Sequence, residues 1–404
     1  MVNLSIRADV AVVGAGPAGS SLASFLRLQG ASVVVLEREH FPRFHVGESL
    51  LTMCVPALRR MGVSLEGADF ANMKPGALFM LEPTRERLRI DFSRGLEGTF
   101  PYAFQVERAH FDAALAHHAE ALGADVHYGA QVRSWVEDAD GVCLSGEWGS
   151  VRAQLAVDAT GQDAFFGRRQ RTVEQLERFG RAASFTTFAP VRSATARECV
   201  GNGDILILLV PDGWMWLIPL SRERVSVGLV ERTPRPGVSA EQAVSHAIEQ
   251  SEFLVDFFAN SNRVQPFRRI ANYSYYNRTP STARSATVGD ASVFLDPIFS
   301  SGVTVAVTTA EMLATTLVAS LHSGSPLEMK EYRAACLKAY TTFDRLIERF
   351  YRPEWVQNVF FSAGKDDRML REFTAILAGD VWRDDNEVQR LLLASAARTG
   401  PEIT

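Results

Sequence analysis

From Asp9 to Glu37 the chain reads D-V-A-V-V-G-A-G-P-A-G-S-S-L-A-S-F-L-R-L-Q-G-A-S-V-V-V-L-E. Ala8 to Val13 is an almost continuous apolar run, as expected of a strand buried on both faces of a parallel sheet. Gly14, Gly16 and Gly19 then spell G-x-G-x-x-G, with Ala18 inside the motif. The first glycine allows a tight turn, the second lets backbone approach a pyrophosphate, and the third lets helix and strand pack closely. A helix is expected from about Pro17 to Gln29, closed by Gly30, and a second strand from Ser32 to Leu36. That strand ends on Glu37, an acid placed to accept from a ribose hydroxyl. A Gly-rich turn alone is a weak signal. Set between a strand and a helix, with an acid at this distance, it points to a bound dinucleotide, FAD or NAD rather than NADP.

The whole chain sets wider bounds. At 404 residues it has room for two or three domains. A net charge of −5 and a pI near 6.0 argue against nucleic acid or an anionic membrane as the main partner. Apolar windows are short or broken by charge, so no transmembrane span is expected. No signal peptide is expected ahead of the first strand. Cys54, Cys143, Cys199 and Cys336 are scattered and fit no metal-ligand spacing; they read as buried thiols of a cytoplasmic protein, and no metal is expected.

Beyond Glu37, Arg43 is a cation close in sequence to the pyrophosphate fingerprint. Ser49, in Gly47-Glu48-Ser49 ahead of an apolar helical run, reads as an N-cap, a role compatible with touching a cofactor. Lys74 sits before Pro75-Gly76, a turn leading into a strand at Ala77 to Leu81; taken alone it reads as a solvated charge. Strands are expected at Leu88–Phe92, Ala124–Val132, Val142–Leu144 and Val151–Val157, and a helix at Phe111–Leu122. Asp158-Ala159-Thr160-Gly161 is a strand exit of small residues that suits close approach to a nucleotide. From Ala182 to Val230 the texture turns β-rich, with strands at Ser184–Phe188, Ile205–Val210, Met215–Leu220 and Val225–Val230, as in a sheet roofing a substrate cavity. Trp214 and Trp216 lie two apart on one of them and so share a face, as core or as an aromatic wall. Asp290 ends another strand and is placed to bond ribityl hydroxyls. Ser300-Ser301-Gly302 opens a long apolar helix whose N-terminal amides suit an anion or an electron-rich ring edge. After Pro326 the chain is helical, with Met329, Tyr332, Cys336, Tyr340, Phe343, Ile347 and Phe350 on one face.

These residues together resemble a known family. Gly14–Glu37, Gly289-Asp290 and the following helix resemble the FAD domain of the aromatic hydroxylase superfamily. Trp214-x-Trp216-x-Ile218-Pro219 is similar to the W-x-W-x-I-P signature of FADH2-dependent halogenases. Phe294-x-x-Pro297-x-x-Ser300-x-Gly302 is similar to that family's F-x-x-P-x-x-S-x-G signature. The likeness runs by motif from the N-terminus to about Val303 and more loosely into the helical tail. It implies an α/β fold: a discontinuous Rossmann-like FAD-binding domain (1–73, 100–180 and 270–325), a β-rich substrate-side domain (74–99 and 181–269) and a C-terminal helical region (326–404).

The resemblance also implies roles. Lys74 matches the family's catalytic lysine. Ser301 and Gly302 match the amides that hold halide, Val303 a flavin contact, and Arg43, Gln105 and Arg108 residues around the FAD. The implied chemistry takes O2 and chloride or bromide to hypohalous acid at the C4a-hydroperoxide of FADH2 and passes that acid to Lys74. An electron-rich ring is then halogenated in natural-product biosynthesis. M-K-P-G-A, D-P-I-F-S-S-G-V and G-D-V-W near Gly379–Trp382 resemble most the halogenases of carrier-tethered pyrrolyl groups, with tethered tyrosyl and free phenols also open. No second G-x-G-x-x-G follows a later strand, which fits supply of reduced flavin by a separate NAD(P)H flavin reductase. Two alternatives stand beside this reading: an NAD(P)H-dependent aromatic hydroxylase of the same fold, and a non-catalytic flavin-binding or carrier-docking homologue.

Overall fold

The computed structural model describes residues 4–179 and 181–399. The strand Leu4–Val13 lies at the centre of a seven-stranded sheet, with Val10, Ala11 and Val12 wholly buried. It pairs in parallel with Val33–Glu37 on one side and Gly149–Asp158 on the other. Asp125–Tyr128 extends the sheet beyond Val33–Glu37. Gly149–Asp158 carries two neighbours on its far edge, Gly141–Gly146 antiparallel on its first half and Ser285–Thr287 parallel on its last three residues. The crossover helix Pro17–Leu28 packs against the long helix Ser301–Ser323.

A second sheet of eight strands faces the first region. Its order is Asn262–Arg263, Ala182–Ala189, Val225–Glu231, Gly213–Pro219, Ile205–Val210, Gly76–Leu81 and Arg87–Asp91, with Arg268–Ala271 also on Ala182–Ala189. Period-two alternation divides its residues. Ile205, Ile207, Trp214, Trp216 and Ile218 join the main core, whereas Leu206, Leu208, Met215 and Leu217 pack under the short helices Ala194–Val200, Ala240–Glu249 and Glu252–Phe257.

Four local expectations need correction. The strand expected over 124–132 stops at Tyr128, where pairing with Glu37 ends and Gly129 takes φ +72°. An additional strand, Ser134–Asp138, pairs with Gly141–Gly146; its half-exposed, charge-flanked sequence carries no apolar run. Ser49 caps no helix. The helix starts at Cys54, and Glu48–Leu50 runs extended against Phe104–Val106, with Val106 N donating to Glu48 O at 2.7 Å and Leu50 N to Phe104 O at 3.0 Å. Lys74 is not on a solvated turn; it ends the strand Ala71–Lys74, which pairs with Ala103–Val106, one residue before the chain crosses into the eight-stranded sheet.

The C-terminal helix Lys330–Phe350 buries Tyr332, Tyr340, Phe343, Ile347 and Phe350, as its periodicity requires. Shorter helices follow, Asp367–Leu377 and Glu387–Thr399. Of the helices described, Ser301–Ser323 has the length and mean hydropathy, 1.5, to cross a bilayer. Here it is a core helix, flanked by Pro17–Leu28 and Lys330–Phe350. All four cysteines are free; Cys54 and Cys199 are buried and the other two half-buried.

Candidate active site

A cavity of about 770 Å³ opens between the two sheets. The Gly-rich turn forms one end, and its geometry depends on the missing side chains. Gly14 has φ +100°, and a Cβ there would stand 2.6 Å from Ala159 O; one at Gly19 would stand 1.9 Å from Gly14 O. The helix Pro17–Leu28 has neither a side-chain cap nor an acid in its first turn, which leaves its N-terminal amides to an anion. Glu37 lines the cavity, its Oε2 accepting from Ala15 N at 2.8 Å, so the acid is pinned to the turn it accompanies.

Two guanidiniums flank this end around a single carboxylate. Arg43 Nη1 lies 3.2 Å from Asp112 Oδ2, and Arg108 Nε 2.8 Å from Asp112 Oδ1. Arg108 Nη1 also donates to Val46 O at 2.7 Å. Two guanidiniums gathered on one acid beside the Gly-rich turn form a donor set that suits a diphosphate. Arg108 holds the neighbouring His45 at a pKa of about 4, with burial adding to the effect, so this ring is neutral at pH 7. Uncapped amides, paired guanidiniums and glycines whose Cβ positions are filled by backbone together fit a dinucleotide.

Also on the cavity wall, the helix Ser301–Ser323 begins from Ser300, in the left-handed conformation at φ +56°, again with no side-chain cap and no acid in its first turn. Ser300, Ser301, Gly302 and Val303 line the cavity, as do Phe294 and Pro297. Asp290 faces this helix start: a Cβ on Gly302 would be 3.7 Å from its Oδ1. Burial lifts the Asp290 carboxyl to about 6 against the pull of Arg108. Trp214, Trp216 and Ile218 form the facing wall, the two indoles 5.9 Å apart between centroids and nearly fully buried. They are core and cavity wall at once.

Ala18, Arg43, Ser49 and Arg108 also line the cavity. Four of the residues singled out from sequence stand outside its wall. Gly19 acts through packing, and Pro219 ends its strand and accepts from Asn72 Nδ2 through its carbonyl. Gln105 is wholly buried behind Ser49, and its Nε2 donates to Gly203 O at 3.2 Å. Lys74 is 1 % exposed; its Nζ donates to Ser49 Oγ at 2.9 Å and to Leu50 O at 2.8 Å, and lies 5.3 Å from the Phe92 ring centre. Burial lowers this amine to about 7, with Asp204 opposing the shift.

Sequence reasoning missed the groups that hold these parts together. Trp216 Nε1 donates to Ser226 Oγ at 3.2 Å, and Ser226 donates to Glu48 Oε1 at 3.2 Å. Gly228 gives the Trp216 ring its space, since a Cβ there would be 2.1 Å from Cζ2. Trp214 Nε1 donates to Tyr351 OH at 2.7 Å, and Tyr351 OH to Asp296 Oδ2 at 3.1 Å. Arg181 pairs with the same carboxylate at 2.9 Å and stacks on the Tyr351 ring. Glu48 and Asp296 stood within motifs already under scrutiny and were within reach; Ser226 and Tyr351 have no local signal.

Comparison with known proteins follows the same lines. The profile of the FAD binding domain family matches residues 7–343. A 1H-pyrrole-2-carbonyl peptidyl-carrier-protein chlorinase of Pseudomonas fluorescens is 30% identical, over 93% of this chain and 89% of the relative. A flavoprotein/dehydrogenase of Cytophaga hutchinsonii superposes with a TM-score of 0.86 at 27% identity, covering 97% of this chain and 98% of that one. A myxobacterial chondrochloren halogenase, described as a variant of FAD-dependent halogenases, superposes with a TM-score of 0.76 at 28% identity, covering 96% and 97%.

Proposed function

Because the chain belongs to the flavin-dependent halogenases, built on the FAD-binding domain family, we propose that it is a chlorinase that makes hypohalous acid in the cavity and passes it to Lys74. The acceptor on this reading is an electron-rich ring, pyrrolyl or phenolic, tethered to a carrier protein. A separate NAD(P)H flavin reductase supplies the reduced cofactor, and free thiols suit a cytoplasmic setting. The observation that carries the reading is the buried Lys74 amine, one side chain behind the cavity wall.

Bound reduced flavin, with O2, supplies the oxidant for halide. The residues of this chain do the rest. The paired guanidiniums and the Gly-rich turn hold the diphosphate. The amides of Ser301 and Gly302, at the positive end of their helix, hold halide. Trp214 and Trp216 fill the space opposite and exclude water and bulky arenes. With its pKa near 7, Lys74 has both forms available at neutral pH. As ammonium it polarises hypohalous acid at the cavity wall and stabilises the negative charge that develops on its oxygen. As amine its nitrogen takes the halogen and releases water; the arene carbon then takes the halogen from nitrogen, and the ring proton returns to the amine.

The test is to supply FADH2, O2 and chloride or bromide with pyrrolyl and phenolic carrier thioesters and to follow product mass. A halogenated thioester is expected. Direct reduction of the bound flavin by NAD(P)H, with oxygen rather than halogen in the product, would replace the proposal by the hydroxylase reading. The relative's name supports the pyrrolyl carrier substrate, and the same assay, run over both rings and both halides, decides substrate and halide preference.

A further inference from the structure

Between the cavity and Lys74 stands one hydroxyl. Ser49 lines the cavity and accepts from Lys74 Nζ at 2.9 Å, while Lys74 itself stays outside the wall. An oxygen that accepts from Nζ has its own hydrogen to donate in another direction. The segment carrying Ser49 is tied on every side. Glu48 accepts from Ser226, Leu50 O takes the second Lys74 bond, and Leu51 N donates to Thr304 Oγ1 at 3.0 Å on the long helix. Thr52 Oγ1 and Met53 N donate to Ala378 O of the C-terminal region. The extended backbone of 48–50 is zipped to Phe104–Val106. The segment that carries the Ser49 hydroxyl is therefore held by several separate elements.

We infer that Ser49 is the positioning residue for Lys74, and that its hydroxyl is the relay through which the lysine holds hypohalous acid at the cavity wall. The inference rests on the halogenase reading above. The chain Nζ–H to Oγ, and Oγ–H to the hypohalite oxygen, needs no bond made or broken at Ser49. It fixes where the oxidant waits and keeps the Lys74 nitrogen in one place. A methyl group at this position ends the relay and removes one of the two acceptors of the ammonium. The charged group that acts on that ammonium is Asp204, which in turn pairs with Arg89 Nε at 2.7 Å.

Lys74 is one of only four lysines, with Lys330, Lys338 and Lys365, so its signal can be singled out. The experiment uses FAD-loaded full-length protein labelled at lysine Cε, titrated by NMR as wild type, Ser49→Ala and Ser49→Thr, with Lys74→Arg to assign the resonance. Loss of a charge-assisted acceptor lowers the Lys74 midpoint in Ser49→Ala by about one pH unit, and Thr restores it. In turnover, the ratio of halogenated thioester to oxidant trapped by a thiol scavenger falls about tenfold or more in Ser49→Ala and recovers in Ser49→Thr. An unchanged midpoint together with an unchanged ratio overturns the inference. Ser49→Thr and melting of both variants keep a folding defect apart from a lost relay. If wild type yields neither trapped oxidant nor halogenated product, the halogenase reading fails, while the NMR midpoint still reports whether Ser49 holds Lys74.

Discussion

The two ends of the cavity are made in different ways. The dinucleotide end is built from backbone and from absent atoms. Gly14 and Gly19 bring strand, turn and helix to within contact, and its core, strand, turn, helix and acid, lies in one run of chain, with Arg43, Arg108 and Ala159 brought to it from outside that run. The lysine end is built from buried side chains. Lys74, the Glu48-Ser49 segment, Trp216 and Ser226 come from separate stretches of chain and meet through a few side-chain hydrogen bonds. The first end should fail when atoms are added, because close-packed backbone has nowhere to move. The second should keep its shape and lose its chemistry when polar atoms are removed.

The largest effect is expected at the lysine end, in rate and not in fold. Lys74→Ala should keep FAD absorbance and a near-normal melting curve but lower halogenation by about 10²–10³-fold or more, the range for removal of one preorganised donor; single-turnover assays check it. Lys74→Met sharpens the same point through stability. The folded-state pKa near 7 lies below the unfolded value of about 10.4. Between these values the unfolded chain binds more protons, so wild-type stability rises with pH across that window. Met carries no such penalty. The gain in stability from Lys74→Met, read from thermal melting, should therefore be greatest below pH 7, up to about 4 kcal/mol less the lost hydrogen bonds, and should shrink toward pH 10.

At the dinucleotide end, Gly19→Ala should cost about 3 kcal/mol and weaken FAD retention, since its Cβ would press on Gly14 O. Calorimetry with and without FAD measures both. A mild effect there would break the contrast between the two ends. Smaller again, Tyr351→Phe removes the acceptor of Trp214 Nε1 and a donor to Asp296. It should cost about 1–2 kcal/mol of stability and, by loosening Trp214, alter flavin fluorescence. Smallest is Ser226→Ala at about 1 kcal/mol, read by urea unfolding, with a larger loss in coupling of halide oxidation to product than in FAD affinity.

Most of the dinucleotide end was legible in the chain as written. Strand, glycine turn, helix and acid follow one another, and each needs only neighbours a few residues away. The paired tryptophans were legible for the same reason, because alternation along a strand assigns faces without knowledge of the partner. The resemblance to halogenase motifs led to Lys74, although its local sequence suggested a solvated turn. Ser49 was misread as a helix cap, since a serine ahead of an apolar run looks the same whether a helix starts there or five residues later at Cys54.

Period and motif spacing thus determined the cofactor class and the faces of the long elements, which depend on short-range sterics and burial, and the family resemblance those motifs carry implied the fold class. Only the tertiary structure decided that Lys74 is buried, that Ser49 stands between it and the cavity, and that Tyr351 reaches Trp214 from 137 residues away. Those are contacts between elements whose order in sequence says nothing of their distance in space. Such bonds gain strength in the low dielectric that several elements create together, which offsets the cost of desolvation and which no single stretch of chain can provide alone.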